Sequence, residues 1–165
     1  MPSHVHAPAP APARNYEASR GVPPVGPQSV TSVRWGFAVR VVGAALALVI
    51  GWLHVVDQGG LSSLKTPAYV GVGYWVLELG ALVLAGVLLF GSARGRLAGW
   101  VVALGVAAGP MVGYALSRGP GLPGYVDDRG NWGEVIGIQA LTTEAALLVL
   151  GALVLLRSRR RAIDS

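Results

Sequence analysis

Four apolar blocks, at roughly 37–56, 67–90, 97–117 and 134–156, constrain this chain more than any other feature of it. Each is about 20 residues long, and at about 1.5 Å per residue a helix of that length crosses the roughly 30 Å hydrocarbon core of a bilayer. A composition of 53% hydrophobic and 13% charged residues departs from that of soluble domains in the same direction. The expected fold class is all-α, an integral membrane four-transmembrane-helix bundle over residues 33–157 with a disordered N-terminal tail. The first block follows a leader of about 35 residues and lacks a small-residue cleavage site, so it reads as a span and not as a signal peptide.

Residues 1–32 are rich in Pro, Ala, Gly and Ser around "APAPAPA" and hold too little apolar surface to fold. If Met1 is removed, a free amine, two backbone nitrogens and the His4 imidazole would suit square-planar Cu(II) or Ni(II), with His6 close by. The plainer reading is a pair of solvated histidines, and no metal or other cofactor is assigned. The chain has no cysteine, which excludes disulfides, thiolate metal sites and thiol redox catalysis.

Basic residues set the expected orientation. Arg14, Arg20, Arg34, Arg40, Arg94, Arg96, Arg157, Arg159, Arg160 and Arg161 fall in the tail, second loop and C-terminus, while Lys65, Arg118 and Arg129 alone occupy the first and third loops. The positive-inside rule then predicts a multi-pass protein of the inner cell membrane with both termini cytoplasmic. The RSRRR run opens onto a basic cytoplasmic C-terminus, 158–165, and reads as a topology signal that meets anionic lipid. The net charge of +5 therefore implies no nucleic acid. A membrane-protein partner or a second copy of the chain is the further expectation.

The short "GSARGR" loop predicts an antiparallel hairpin of the second and third helices. The longer "SRGPGLPGYVDDRGNWGE", 117–134, predicts a string of turns packed over the bundle. Asp127, Asp128 and Asn131 lack the spacing of an EF-hand. Trp132 reads as an interfacial anchor, as do Trp35, Tyr69 and Trp100 at their own boundaries.

Helical spacing places the polar residues. Gly71, Tyr74, Glu78, Ala81 and Ala85 share one stripe of the second helix, and small residues on a stripe favour contact with protein. Gly137, Ala140, Glu144 and Gly151 repeat the pattern on the fourth, bordered by Gln139 and Thr143. Both glutamates lie roughly 15 Å down their helices, a depth at which a lone ionised carboxylate is costly. The two would therefore share a proton, hold a cation between them, or each, protonated, hydrogen-bond a neighbouring carbonyl, Thr or Tyr and fix helix register. His54 continues the Ala44, Ala47, Gly51 stripe nearer the surface, with Asp57 one turn beyond. That difference in depth argues against His54 joining the glutamates as a metal ligand. Gly105, Gly109 and Gly113 predict close helix contact on the third helix, and Pro110 predicts a kink and a freed carbonyl.

Known catalytic signatures are lacking. Walker, Rossmann and zincin motifs are absent, Ser117 has no triad partners at familiar spacing, and no second intramembrane histidine supports bis-His haem. The segments "YALSRGPGLPG" and "NWGEVIGIQALTTEAALL" resemble a pattern in small four-helix integral membrane proteins of actinobacteria, carried here by Arg118, Gly121 to Gly124, Trp132 to Glu134 and Glu144. The resemblance covers the third and fourth helices and implies topology and location, with no activity attached. The expected function is an accessory or ligand-binding membrane component and not a stand-alone enzyme. The alternative is proton- or cation-coupled transport through a Glu78/Glu144 pair.

Overall fold

The structure is a computed structural model that describes residues 27–163, with side chains from Gly36 onward. His4, His6, the remainder of the N-terminal tail and the Trp35 side chain lie outside the described residues. Four helices account for most of the described chain: α1 (Pro27–Asp57), α2 (Ala68–Phe90), α3 (Ala93–Arg118) and α4 (Val135–Ile163). Among the described residues there is no strand, only an isolated bridge between Leu122 and Tyr125. The all-α reading holds.

Two boundaries differ from expectation. α1 begins at Pro27, ahead of position 37 and inside the stretch read as tail. Proline is tolerated in a first turn, where its missing N–H would have no intrahelical acceptor. α4 runs on through Arg159, Arg160 and Arg161 to Ile163, so this part of the basic C-terminus is helical. Arginine is a good helix former, and cations near a helix C-terminus are favoured by its dipole.

All four helices are long and apolar enough to cross a membrane, and no more than 28% of any apolar window is buried within the protein. Phe37, Trp52, Val83 and Phe90 all face outward. Outward apolar surface on this scale would be costly in water and is neutral in hydrocarbon. The chain is a four-span membrane protein.

The helices form a ring in which α1 packs on α2 and α4, and α3 packs on α2 and α4. The α2–α3 connection is two residues, Gly91 and Ser92, and the Ser92 hydroxyl caps α3 by accepting from Gly95 N–H. The centre is filled by Ala44, Ala47, Ile50, Leu84, Leu88, Ala103 and Leu147. Trp100 is buried too, so its ring packs among the helices and does not face outward as an interfacial anchor would. Its ring crosses from α3 to α1, where a Cβ on Gly43 would stand 2.5 Å from it. The missing side chain of Gly43 is the space that Trp100 occupies.

The Gly105, Gly109 and Gly113 run corrects another expectation. A Cβ at any of the three would meet nothing within 4 Å, so they line open space and make no close helix contact. Close approach falls elsewhere, at Gly51 against Ala81 of α2 and at Gly137 against the Tyr114 ring. Glycine allows a near neighbour but does not supply one.

Gly43→Val is expected to lower stability by about 1–3 kcal/mol through overpacking against Trp100. Gly105→Ala, by contrast, is expected to cost nothing. Thermal unfolding of both variants in one detergent checks the contrast.

Candidate functional site

A cavity of about 690 Å³ occupies the end of the bundle that carries the 119–134 loop. Every helix contributes to it: Leu53, His54 and Asp57 from α1, Tyr74 and Leu77 from α2, Gly105 to Ser117 on one face of α3, and Gly137 to Glu144 on one face of α4. Leu122, Tyr125 and Asp128 of the loop roof it. Its wall is mostly apolar and its polar groups gather toward the roof.

The acid at its heart is Glu144, which is 1% exposed. His54 Nε2 stands 3.8 Å from Glu144 Oε1, beyond hydrogen-bonding distance. His54 Nδ1 lies 2.9 Å from the Ile50 carbonyl, and since a carbonyl can only accept, Nδ1 carries the proton. In the neutral ring Nε2 is thereby left as an acceptor. Among the described residues no hydrogen bond reaches the Glu144 carboxyl.

Helix direction explains how residues of different nominal depth meet. Cα–Cβ bonds tilt toward the N-terminus of a helix. α1 ends at the loop side of the bundle and α4 begins there, so the two tilts are opposed. His54 leans inward, as its bond to Ile50 one turn earlier shows, while Glu144 leans toward the roof. The depth difference read from sequence is closed by these opposed side chains.

Next to this pair, the His54 and Tyr74 rings meet at 5.3 Å and 59°. Tyr74 donates its hydroxyl proton to Asp57 Oδ2, which also receives Lys65 Nζ at 2.9 Å. Lys65 lies over the Tyr74 ring as well, 5.0 Å from its centroid. Asp57 thus belongs to the polar end of the cavity, tied to the first loop.

Arg118 organises the roof. Although only 6% exposed, it donates through Nη1 to Ser117 Oγ and Asp128 Oδ2, both at 3.0 Å, and through Nη2 to Glu134 Oε2. A buried guanidinium is tolerable when its fork is matched by carboxylates in this way. Tyr125 donates to the same Asp128 oxygen at 2.7 Å, and burial, with Asp128 adding to it, pushes the Tyr125 phenol above its ordinary pKa. Tyr69 and Tyr114 donate to the Pro123 and Trp132 carbonyls at 2.7 and 2.8 Å, fastening the loop to α2 and α3. Gly121, Gly124 and Gly130 take positive φ where the loop turns back on itself.

Several expected site residues fall elsewhere. Glu78 lines a second, shallower groove between α1 and α2, with Leu48, Trp52, Val55 and Trp75, and its Oε1 is buried without a hydrogen-bond partner. Glu78 and Glu144 therefore open into different cavities, because α2 and α4 stand across the ring and the Glu78 stripe turns toward α1. The same turn separates Glu78 from His54 and Asp57, and among the described residues no group of three His, Asp or Glu is placed to hold a metal. Gln139 is exposed, and Thr143 donates to the Gln139 carbonyl at 2.8 Å on the outer side of α4. Trp132 is half exposed and meets Tyr114 edge-on at 5.9 Å.

The roles of Lys65, Tyr125, Asp128 and Glu134 went unread in the sequence. The signal was present: an arginine ending an apolar helix needs acids, and the next loop holds them. No protein-family model, curated protein or solved structure matches the chain.

Arg118→Met is expected to destabilise the protein by about 2–3 kcal/mol, below the full cost of breaking a buried pair because Asp128 and Glu134 are partly solvated. Arg118→Lys should recover part of that loss. Thermal unfolding, together with protease cleavage rates in the 119–134 loop, measures both effects.

Proposed function

We propose that this multi-pass protein is a ligand-binding component of the membrane, its site being the loop-end cavity and its polar anchor the His54/Glu144 pair. The observation that carries this reading is a buried carboxyl with no hydrogen bond, facing an imidazole acceptor across 3.8 Å at the polar end of a cavity of about 690 Å³. A buried polar group is costly when unsatisfied, and a bound molecule that reaches both side chains would satisfy them together. Cavities of this size, mainly apolar with a few convergent polar groups, are the usual form of small-molecule sites.

The alternative reading, proton or cation coupling through a Glu78/Glu144 pair, draws less support, since the two line separate cavities. The proposal places the protein in the inner cell membrane with both termini cytoplasmic, following the arginine distribution. Arg159, Arg160 and Arg161, exposed on the last turns of α4, then meet anionic lipid on that side. An accessory role beside a membrane partner fits the lack of catalytic motifs.

Mass spectrometry of solvent extracts from protein purified in nanodiscs tests the reading. Wild-type protein is expected to release a small molecule near one per chain, reduced about tenfold or more in Glu144→Leu, the weight of one hydrogen bond to a charged group. Extracts of wild type and variant that match empty nanodiscs, with the variant merely less stable, would assign Glu144 a structural role instead.

A further inference from the structure

The α2/α3 hairpin is closed at one end and open at the other. Near its turn, a Cβ on Gly99 would stand 3.0 Å from Val87 and 3.5 Å from Leu88. Farther along, Gly80 has Val106 as its nearest neighbour at 4.0 Å, and beyond that Gly73, Gly105, Gly109 and Gly113 have nothing within 4 Å. These glycines, except for the more distant Gly99, all line the large cavity. Val76 and Val102, which also line it, are 66% and 53% exposed on the outer surface of the spans. The cavity therefore has a mouth between α2 and α3 that faces the bilayer, flanked by glycine on both sides.

The head of the cavity holds an excess of acceptors. Glu144 accepts from no described residue, and His54 Nε2 is an acceptor while Nδ1 donates to Ile50. Asp57 binds Lys65 and Tyr74 through Oδ2 alone, leaving Oδ1. Pro110 has no N–H, so the Val106 carbonyl one turn earlier on the lining face lacks its helical donor. The cation of Arg118 is offset by Asp128 and Glu134 and leaves no net positive charge for an anionic head.

We infer that the cavity takes a single-chain amphiphile from the bilayer, its chain lying in the glycine-walled α2/α3 cleft and its donor head, an amine or a hydroxyl, bound by Glu144 and His54. This inference rests on the loop-end cavity being a ligand site and adds the class of ligand and its path. The glycine wall alone would be no evidence of a ligand. The independent observation is the buried, unbonded Glu144 at the inner end of the cleft. Lateral access follows from the exposure of Val76 and Val102, since a molecule from water would have to pass the roof held by Arg118.

Photolabelling of the full chain in phosphatidylcholine nanodiscs tests this. Three probes share one hexadecyl chain bearing a diazirine and differ in the head, which is a primary amine, a hydroxyl or a phosphate. The amine and hydroxyl probes are expected to label the 102–113 stretch of α3 about tenfold more than the phosphate probe, as one charge-assisted hydrogen bond would produce. The amine exceeding the hydroxyl would identify an ionic head, and the reverse a neutral one. Labelling should fall by a similar factor in Glu144→Leu and in Gly109→Leu, which fills the cleft; Gly105→Leu, on the same wall, serves if Gly109→Leu fails to fold. Equal labelling by all three probes, or labelling indifferent to these variants, would overturn the inference. Butylamine, a water-soluble probe, is followed in parallel by its shift of thermal unfolding. A Glu144-dependent shift without chain-probe labelling would overturn the amphiphile while keeping the cavity as a binding site; no shift and no labelling would overturn both.

Discussion

Everything at the loop end depends on pairing the Arg118 guanidinium. A cation that ends a membrane helix and is nearly excluded from solvent must find anions, and here the two hydrogen-bonding arms of one planar group reach Asp128 and Glu134. Those acids lie at different points of the 119–134 loop, so pairing both pulls the loop across the bundle. Once there, its carbonyls accept from Tyr69 and Tyr114, and Gly130 N–H returns to the Arg118 carbonyl at 2.8 Å. The roof of the cavity is thus a consequence of neutralising one charge.

Beneath that roof, the cavity arises from uneven filling. At the turn end the Trp100 ring reaches from α3 to α1 and fills the space that a side chain on Gly43 would take. At the loop end α3 presents glycine where a large side chain would be needed, and α2 offers Gly73 and Gly80 opposite. In water such a gap would collapse or fill with solvent, whereas in a bilayer a hydrocarbon chain can occupy it without cost to the helices' own hydrogen bonds. The opposed tilt of side chains on α1 and α4 then brings His54 and Glu144 together at the inner end of this space.

Much of this was legible in the sequence. The four spans, the α2/α3 hairpin and the ordered third loop follow from apolar run length and from glycine and proline placement. So does the inward position of Gly71, Ala81, Ala85, Gly137 and Glu144, all of which are buried. Tyr74 meets Asp57 and His54 faces Glu144, contacts that the angular position on each helix does not specify. Periodicity failed at Glu78, which sits on the buried stripe yet at its edge, and at the α3 glycines, whose pattern serves a seam and a void equally well.

Residue order alone specifies which residues are apolar over a span, hence the helices, their number and the angular position of each side chain about its own axis. It also determined that Arg118 and Glu144 would need partners, because a charge or carboxyl at such depth is costly alone. Who those partners are was settled by how the helices pack. The angle about one helix says nothing of how that helix is turned against its neighbours, or which helices stand side by side in the ring. Placing α4 beside α1 and across from α2 is what joins Glu144 to His54 and separates it from Glu78.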